Sequence, residues 1–431
     1  MKILFLVHGH QQFSVGGAEN AAFSLFYESQ KHDELEAWLL AAVHPRKGVV
    51  GHGELRSMEG AAREYLIGTS CEWFRFTNQN IAAMQRAMER LLHQIQPDVI
   101  HLHHFIHFGI DIIPLMKRLC PQAIIILTLH EYMALCLHNG QMVTTGQLKL
   151  CTKATPLACS LCFPEHASTN LFLRHHYIKT ILESCDALIS PSHFLIARFR
   201  DSGINHPRFT MIENGLSSLA SIDQTDGVTK NYSDHLNRFA FFGQLNKYKG
   251  ILLLLKAAYY LQERGFSNFI INVHGANLEI QSQEFQDEFH YYHQRVQDRV
   301  ILRGSYRQTE LENLMLESDW VIVPSIWWEN SPLVIQEAFC YGRPVIGSDI
   351  GGIAEKVLDC GGVTFSARSE SSLAARIQSC CGDESLHRRL RAQMQAPATA
   401  AKCLEEHLKI YQALRPHTDT VTSSYKLESN T

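Results

Sequence analysis

Short apolar runs of strand length recur along this chain, and each is followed by a longer segment whose apolar positions return every three or four residues. A parallel sheet covered by helices produces this alternation, because its strands are buried on both faces while each crossover helix buries one stripe. In the first half the runs fall at residues 3–7, 36–41, 99–102, 123–127 and 187–189. The pattern restarts at 238–242 and continues at 269–273, 300–303, 321–323 and 344–346. Two α/β units follow from this. Between them, residues 217–236 are polar and aperiodic and read as a linker. The first domain is therefore expected over 1–216, with an irregular cysteine-bearing insertion near 136–166, and the second over 237–404. Residues 405–431 should hold the end of a last helix and a polar tail that frays.

A length of 431 residues exceeds one ordinary core, and 45% hydrophobic with 19% charged residues marks a soluble globular protein. The net charge of −4 and a pI near 6.7 argue against a general nucleic-acid binder, which needs a basic face. Residues 1–7 read as a first strand rather than an export signal: the apolar run is short and no cleavage site follows. No apolar run approaches the roughly 18 to 20 residues of a membrane-spanning helix. Twelve cysteines without an export signal imply a reducing cytoplasm, where thiols stay free or bind metal.

The densest candidate chemistry is the stretch from Glu329 to Glu337. Glu329 falls in the loop leaving the run at 321–323, Ser331 and Pro332 fit the N-cap and first position of a helix, and Gly342 ends it. The amides of Leu333 and Val334 are then free donors at a helix start, an arrangement that suits a phosphate. Gly16 and Gly17, after the first run, make either a second phosphate cradle or an ordinary strand-to-helix turn. They lack the G-x-G-x-x-G spacing, so a dinucleotide reading is weakly supported. Lys247 and Lys249 follow the first run of the second half. Each would neutralise a diphosphate or remain a solvated loop charge. Gly351 and Gly352 offer another close backbone approach.

Histidines crowd one edge of the first sheet. Alternation sets His101 and His103 on one face, opposite Leu102. A neutral imidazole there would bond a sugar hydroxyl, move a proton, or simply be structural. His130 and Glu131 follow the next run and are candidates on the acceptor side. Cys136, Cys151, Cys159 and Cys162 form a C-x14-C-x7-C-x2-C set whose last pair resembles half of a structural zinc site; four reduced thiols are the open alternative. Residues 72–76 and 171–179 mix aromatic and basic side chains, as peripheral membrane segments do. A buried helix flank explains them equally well and is preferred.

The ordered set Gly16-Gly17-Ala-Glu19, Pro97-Asp-Val-Ile-His101-Leu-His103, Thr128-Leu-His130-Glu131, Ser190-Pro-Ser192, Glu213-Asn-Gly215, Gly243 through Gly250, Gly304-Ser-Tyr306, Glu329 to Glu337 and Gly351-Gly352 resembles the family 4 retaining glycosyltransferases. The resemblance runs along almost the whole chain. It implies an α/β fold of two Rossmann-like domains facing across a cleft, the GT-B fold. The implied activity moves a sugar from a UDP-, GDP- or ADP-sugar to a glycan or lipid-linked acceptor hydroxyl in polysaccharide or glycoconjugate biosynthesis.

Carried over by position, Glu337 would hold the ribose hydroxyls and Glu329 the transferred sugar, with His103 nearby. Lys249, Gly16, Gly17, Leu333 and Val334 would bind the diphosphate, Asn330 would lie beside the donor, and Tyr306 would contact the base. No obligatory catalytic metal is expected, and no Asp-x-Asp motif is present. One departure stands out: Gln244 occupies a position where the family usually has arginine, which removes a cation from the leaving-group site. That departure keeps two other functions in view, a non-catalytic sugar-nucleotide or glycan binder and, more remotely, a sugar-nucleotide epimerase. The protein is expected in the cytoplasm, with peripheral contact at the inner face of the membrane left open.

Overall fold

In the first strand Ile3, Phe5 and Val7 enter one core while Leu4 and Leu6 enter another, so the strand is buried on both faces. A computed structural model describes residues 1–13, 16–216 and 235–415. The expected linker, apart from its last two residues, and the tail beyond 415 lie outside the described residues.

The first sheet contains β1 (Lys2–Val7), β2 (Glu36–Val43), β3 (Leu55–Ser57), β4 (Glu64–Gly68), β5 (Val99–Leu102), β6 (Ile124–Thr128), β7 (Ala187–Ser190) and β8 (Phe209–Met211). Its strand order is β3-β4-β2-β1-β5-β6-β7-β8, parallel except for the β3–β4 pair. The second sheet contains β9 (Arg238–Phe242), β10 (Ile270–His274), β11 (Val300–Gly304), β12 (Trp320–Val323), β13 (Val345–Ser348) and β14 (Gly362–Phe365). Its order, β11-β10-β9-β12-β13-β14, is the doubly wound Rossmann order. All ten apolar runs form strands, with ends shifted by a residue or two. The remaining four, β3, β4, β8 and β14, lie at or next to sheet edges, where only part of a strand needs apolar cover.

Helices form where a cap meets an apolar stripe. Asn80 accepts from the Ala83 amide and opens Ile81–Ile95, whose Met84, Ala87, Met88, Leu91 and Ile95 line the core at helical spacing. Thr399 caps the last helix, Ala400–Leu414, in the same way. This helix spans the expected boundary at 404 and packs on the first sheet, with Cys403, Leu404 and Tyr411 in the core that holds Phe5 and Phe26.

In each sheet the strand order reverses once, between β1 and β5 and between β9 and β12. Loops leaving the carboxyl ends of the strands diverge there and open a crevice, which is where open α/β sheets bind ligands.

Candidate active site

Glu329 sits at the second switch point, in the loop after β12, and is buried. Three donors converge on its Oε1: Lys249 Nζ at 2.7 Å, Ser325 Oγ at 2.8 Å and Trp327 Nε1 at 2.9 Å. Burial alone would raise its pKa, but the Lys249 charge and these hydrogen bonds outweigh burial and hold the carboxyl below its ordinary value. Lys249 arrives from the loop after β9. That approach depends on Gly250, whose φ is +75° and where a Cβ would stand 1.9 Å from the Pro324 carbonyl oxygen. A comparable approach holds the other side of the loop. The Gly352 amide donates to the Glu329 carbonyl at 2.8 Å, and a Cβ on Gly352 would lie 1.5 Å from the Asn330 carbonyl oxygen.

The helix after this loop is Leu333–Cys340, and Pro332 rather than Ser331 is its N-cap. Ser331 Oγ is buried and bonds to nothing among the described residues, so it does not close the helix start. Leu333 and Val334 are the first two helical residues, and their amides have no intrahelical acceptor. Glu337 lies one turn further on; burial raises its pKa, and Gln308 Nε2 donates to it at 3.2 Å. Tyr306 packs edge-on against Phe242 and His274, with its phenol pushed up to about 12 by burial and by Glu337. Gln308 and Trp327 had no sequence signal; Gln308 meets Glu337, and Trp327 meets Glu329 and Lys249, through contacts that folding creates.

Gln244 is exposed, and its amide oxygen accepts from Asn246 Nδ2 at 3.2 Å. Lys247 lies over the Tyr248 ring at 5.0 Å. Among the described residues, Lys249 is therefore the cation that meets Glu329.

From the first domain, His103 lies just past β5 and is almost fully buried, its Nδ1 3.2 Å from His130 Nε2. Burial and the surrounding imidazoles push its pKa well below the ordinary histidine value, so the ring is neutral. Its Nε2 is buried without a partner among the described residues. His101 shares that face, as alternation predicts, but turns into the core: it bonds Tyr411 Oη and Thr128 Oγ1, both at 2.7 Å.

His104 holds Glu131. The Ile106 amide donates to His104 Nδ1 at 3.0 Å, so the neutral ring carries its proton on Nε2, which faces Glu131 Oε1 at 3.0 Å. Burial lowers His104 to about 3. Gly16 and Gly17 open the helix Gly17–Ser29, and Glu19 folds back over Gly16 to within 3.4 Å of His8 Nε2. These groups belong to the first-domain side of the crevice.

Asn330 ties the domains together. Its Oδ1 accepts from Ser192 Oγ, and its Nδ2 donates to the His130 carbonyl at 3.0 Å. Gln336 reaches the Asn214 carbonyl at 3.0 Å, and the Glu355 carboxylate caps the helix His193–Asp201 through the amides of His193 and Phe194.

The cysteine insertion does not support a zinc site. Among the described residues no group of three or more histidine, cysteine or acidic side chains is placed to hold a metal. Cys136, Cys151, Cys159 and Cys162 are free thiols; burial raises Cys136 and Cys159 to about 11, which keeps them protonated. The insertion instead braces the loop that carries Glu329. Trp328 Nε1 donates to the Cys151 carbonyl at 2.9 Å, and Arg368 joins the carbonyls of Leu148 and Ile326.

Two family models match consecutive parts of the chain: "Glycosyltransferase Family 4" over residues 56–218 and "Glycosyl transferases group 1" over 229–396. A lipopolysaccharide 1,2-N-acetylglucosaminetransferase from Salmonella typhimurium is 29% identical over 192 residues, covering 43% of this chain and 50% of that protein. An uncharacterized 41.2 kDa protein in the cps region of Klebsiella pneumoniae is 25% identical over 189 residues, covering 42% and 48%. The chain thus spans about half the length of the curated relatives it matches. Among solved structures, a sucrose-phosphate synthase from Thermosynechococcus elongatus superposes with a TM-score of 0.67 at 16% identity, covering 96% of this chain and 99% of that one. HepE of Anabaena, solved with UDP, gives 0.65 at 17% identity, covering 96% and 100%. At such identities these two likenesses establish the shared fold.

Proposed function

This chain belongs to the family 4, group 1 glycosyltransferases of GT-B fold, and we propose that it moves a sugar from a nucleotide-sugar donor to a hydroxyl of a glycan or lipid-linked acceptor with retention of anomeric configuration. The observation that carries this reading is the meeting of Lys249 and Glu329 at 2.7 Å, from the two loops that flank the second switch point. A cation and a buried carboxylate held together there suit a donor whose diphosphate departs from a sugar.

In the reaction, the bond from the anomeric carbon to the phosphate oxygen breaks and its electron pair leaves with the nucleoside diphosphate. The acceptor oxygen forms the new bond on the same face, and its proton passes to the departing phosphate. Lys249 and the amides of Leu333 and Val334 stabilise the growing negative charge, most effectively in a closed crevice that excludes water. Glu329 fixes the sugar hydroxyls, His103 faces the sugar from the first domain, and Glu337 accepts from the ribose. Asn330 helps to hold the two sides together. His130 and Glu131 lie on the acceptor side. Handling of a lipid-linked acceptor would place the protein at the inner face of the membrane.

The test is incubation with a panel of UDP-, GDP- and ADP-sugars and glycan acceptors, with the product's anomeric configuration read by NMR. Product of inverted configuration, or none with any pair, would remove the reading. Gln244 supports a second one, a non-catalytic binder, because neither it nor Lys247 adds a cation beside Glu329. A binder would be stabilised thermally by a donor but would not turn it over.

The raised pKa of Glu337 makes a further prediction. As pH falls through that raised value the carboxylate takes up a proton and loses an acceptor for ribose, so donor KM should rise on the acid side, beginning above the ordinary range for glutamate. Measured from pH 8 to pH 5, this acid limb should be absent in Glu337→Gln, whose KM stays uniformly high.

A further inference from the structure

The loop after β12 carries two successive tryptophans that face opposite domains. Trp328 turns toward the first domain, where its ring packs on Phe194 at 4.9 Å and its indole N–H bonds the Cys151 carbonyl. Trp327 stays with the second domain. Its ring lies 5.8 Å from that of Tyr248 in the loop after β9, and the Ile326 amide donates to the Tyr248 carbonyl at 2.9 Å, so the two loops are joined beside it. A tight turn then folds the chain back. The Glu329 amide donates to the Trp327 carbonyl at 3.0 Å, and this turn brings the Glu329 carboxylate within 2.9 Å of Trp327 Nε1.

Lys249, Ser325 and Trp327 all donate to Oε1 of this carboxylate, and Oε2 accepts from no donor among the described residues. The donors differ in kind. Lys249 is a flexible cation, and the Ser325 hydroxyl can donate or accept, whereas an indole N–H only donates and does not titrate. Lys249 Nζ lies 5.8 Å from the centre of the Trp327 ring, near the outer limit for attraction between a cation and an aromatic face, so the indole acts mainly through its N–H. From the first domain, buried Tyr132 is a titratable neighbour of the same carboxylate. Burial and the Glu329 charge hold its phenol well above its ordinary pKa, so it stays neutral.

We propose that Trp327 is a positioning residue of the transfer reaction: its indole N–H fixes Glu329 Oε1, so that Oε2 is presented to the hydroxyls of the transferred sugar. The role of Oε2 rests on the proposed function, whereas the fixing of Oε1 does not. Lys249 has two partners to serve, because it also meets the diphosphate as negative charge grows there. When it leans toward the diphosphate, the neutral indole and the Ser325 hydroxyl keep the carboxylate in place. Without the indole N–H the carboxylate is free to turn about its last bond, and a displacement of about 1 Å at a reacting centre can cost about a hundredfold in rate.

Two variants of the full chain test this. Trp327→Phe keeps a ring beside Lys249 and removes the donor, and Trp327→His restores a donor, because Nε2 of imidazole stands the same number of bonds from Cβ as Nε1 of indole. Turnover should fall about tenfold in Trp327→Phe with donor KM within about twofold of wild type, and should recover severalfold in Trp327→His. The Glu329 pKa, followed by carboxyl-carbon NMR of side-chain-labelled glutamate and assigned with Glu329→Gln, should rise in Trp327→Phe and return toward the wild-type value in Trp327→His. Unchanged turnover or an unchanged Glu329 pKa in Trp327→Phe would overturn the proposal. Equal losses in both variants together with a lowered melting temperature would also overturn it, making the indole a packing group. A wild type that transfers no sugar removes the role of Oε2 along with the proposed function, and the titration then decides the fixing of Oε1 by itself.

Discussion

Lys249→Ala should lower turnover roughly 100-fold, the usual cost of removing one preorganised group that stabilises charge in a transition state. With Gln244 directed to Asn246 and Lys247 to Tyr248, neither is placed to replace it. The variant also leaves Glu329 buried without its cation, which removes the largest influence that holds the carboxyl pKa down and leaves the Ser325 and Trp327 hydrogen bonds to oppose burial. In the wild type this pKa is depressed. The stability contributed by the pair is therefore present above the unfolded carboxyl pKa and is lost as pH falls through the lower folded value. In the variant, protonation begins at higher pH, and the acid limb of the rate should move toward neutrality. Steady-state kinetics between pH 5 and pH 8 check both statements; near-normal turnover would count against the assignment of Lys249.

Gly352→Ala should be as damaging to activity and more damaging to the fold. The new Cβ would lie 1.5 Å from the Asn330 carbonyl oxygen, a backbone atom that no rotamer change can clear. Either the helix Gly351–Cys360 or the Glu329–Asn330 loop must shift, and overpacking of this kind costs about 3 kcal/mol. Displacement of the loop would also break the bond from Gly352 to the Glu329 carbonyl and the bridge from Asn330 to Ser192 and His130. A melting temperature lowered by several degrees together with activity below about one hundredth of wild type is expected. Normal values for both would show that the approach is looser than described.

The two-sheet architecture was legible because strands such as β1, β6 and β12 are buried on both faces and therefore read as continuous apolar runs. The strands at and next to one edge were not. Glu64-Tyr-Leu-Ile-Gly68 begins with a charged residue, and Leu55-Arg-Ser57 has one apolar side chain, so neither shows a period long enough to detect. Within the candidate site, Glu329, Glu337 and Lys249 could be singled out because their spacing to glycines and strand ends survives in one dimension. Pairings made by folding could not. Gln308 reaches Glu337 across 29 residues, Lys249 reaches Glu329 across 80, and Asn330 reaches His130 across 200. The Ser331 cap was misplaced by one residue because Pro332 fits either the cap or the first helical position, and only the backbone angles distinguish them. The cysteines left two readings open because their spacing matches only half of a zinc site; the fold supports the reduced thiols, which sit partly buried in a brace.

The last helix bears on how this protein is made. Cys403, Leu404 and Tyr411 complete a core whose other buried members are synthesised within the first 216 residues, and the Tyr411 hydroxyl supplies one of the two partners of buried His101. At roughly 5 to 20 residues per second, a ribosome needs on the order of ten to forty seconds to travel from the end of the first domain to this helix. Throughout that interval the part of this core that Cys403, Leu404 and Tyr411 cover is open to water. A fragment ending near 216 should therefore bind apolar dyes and aggregate, and addition of a peptide spanning 399–415 should restore its solubility.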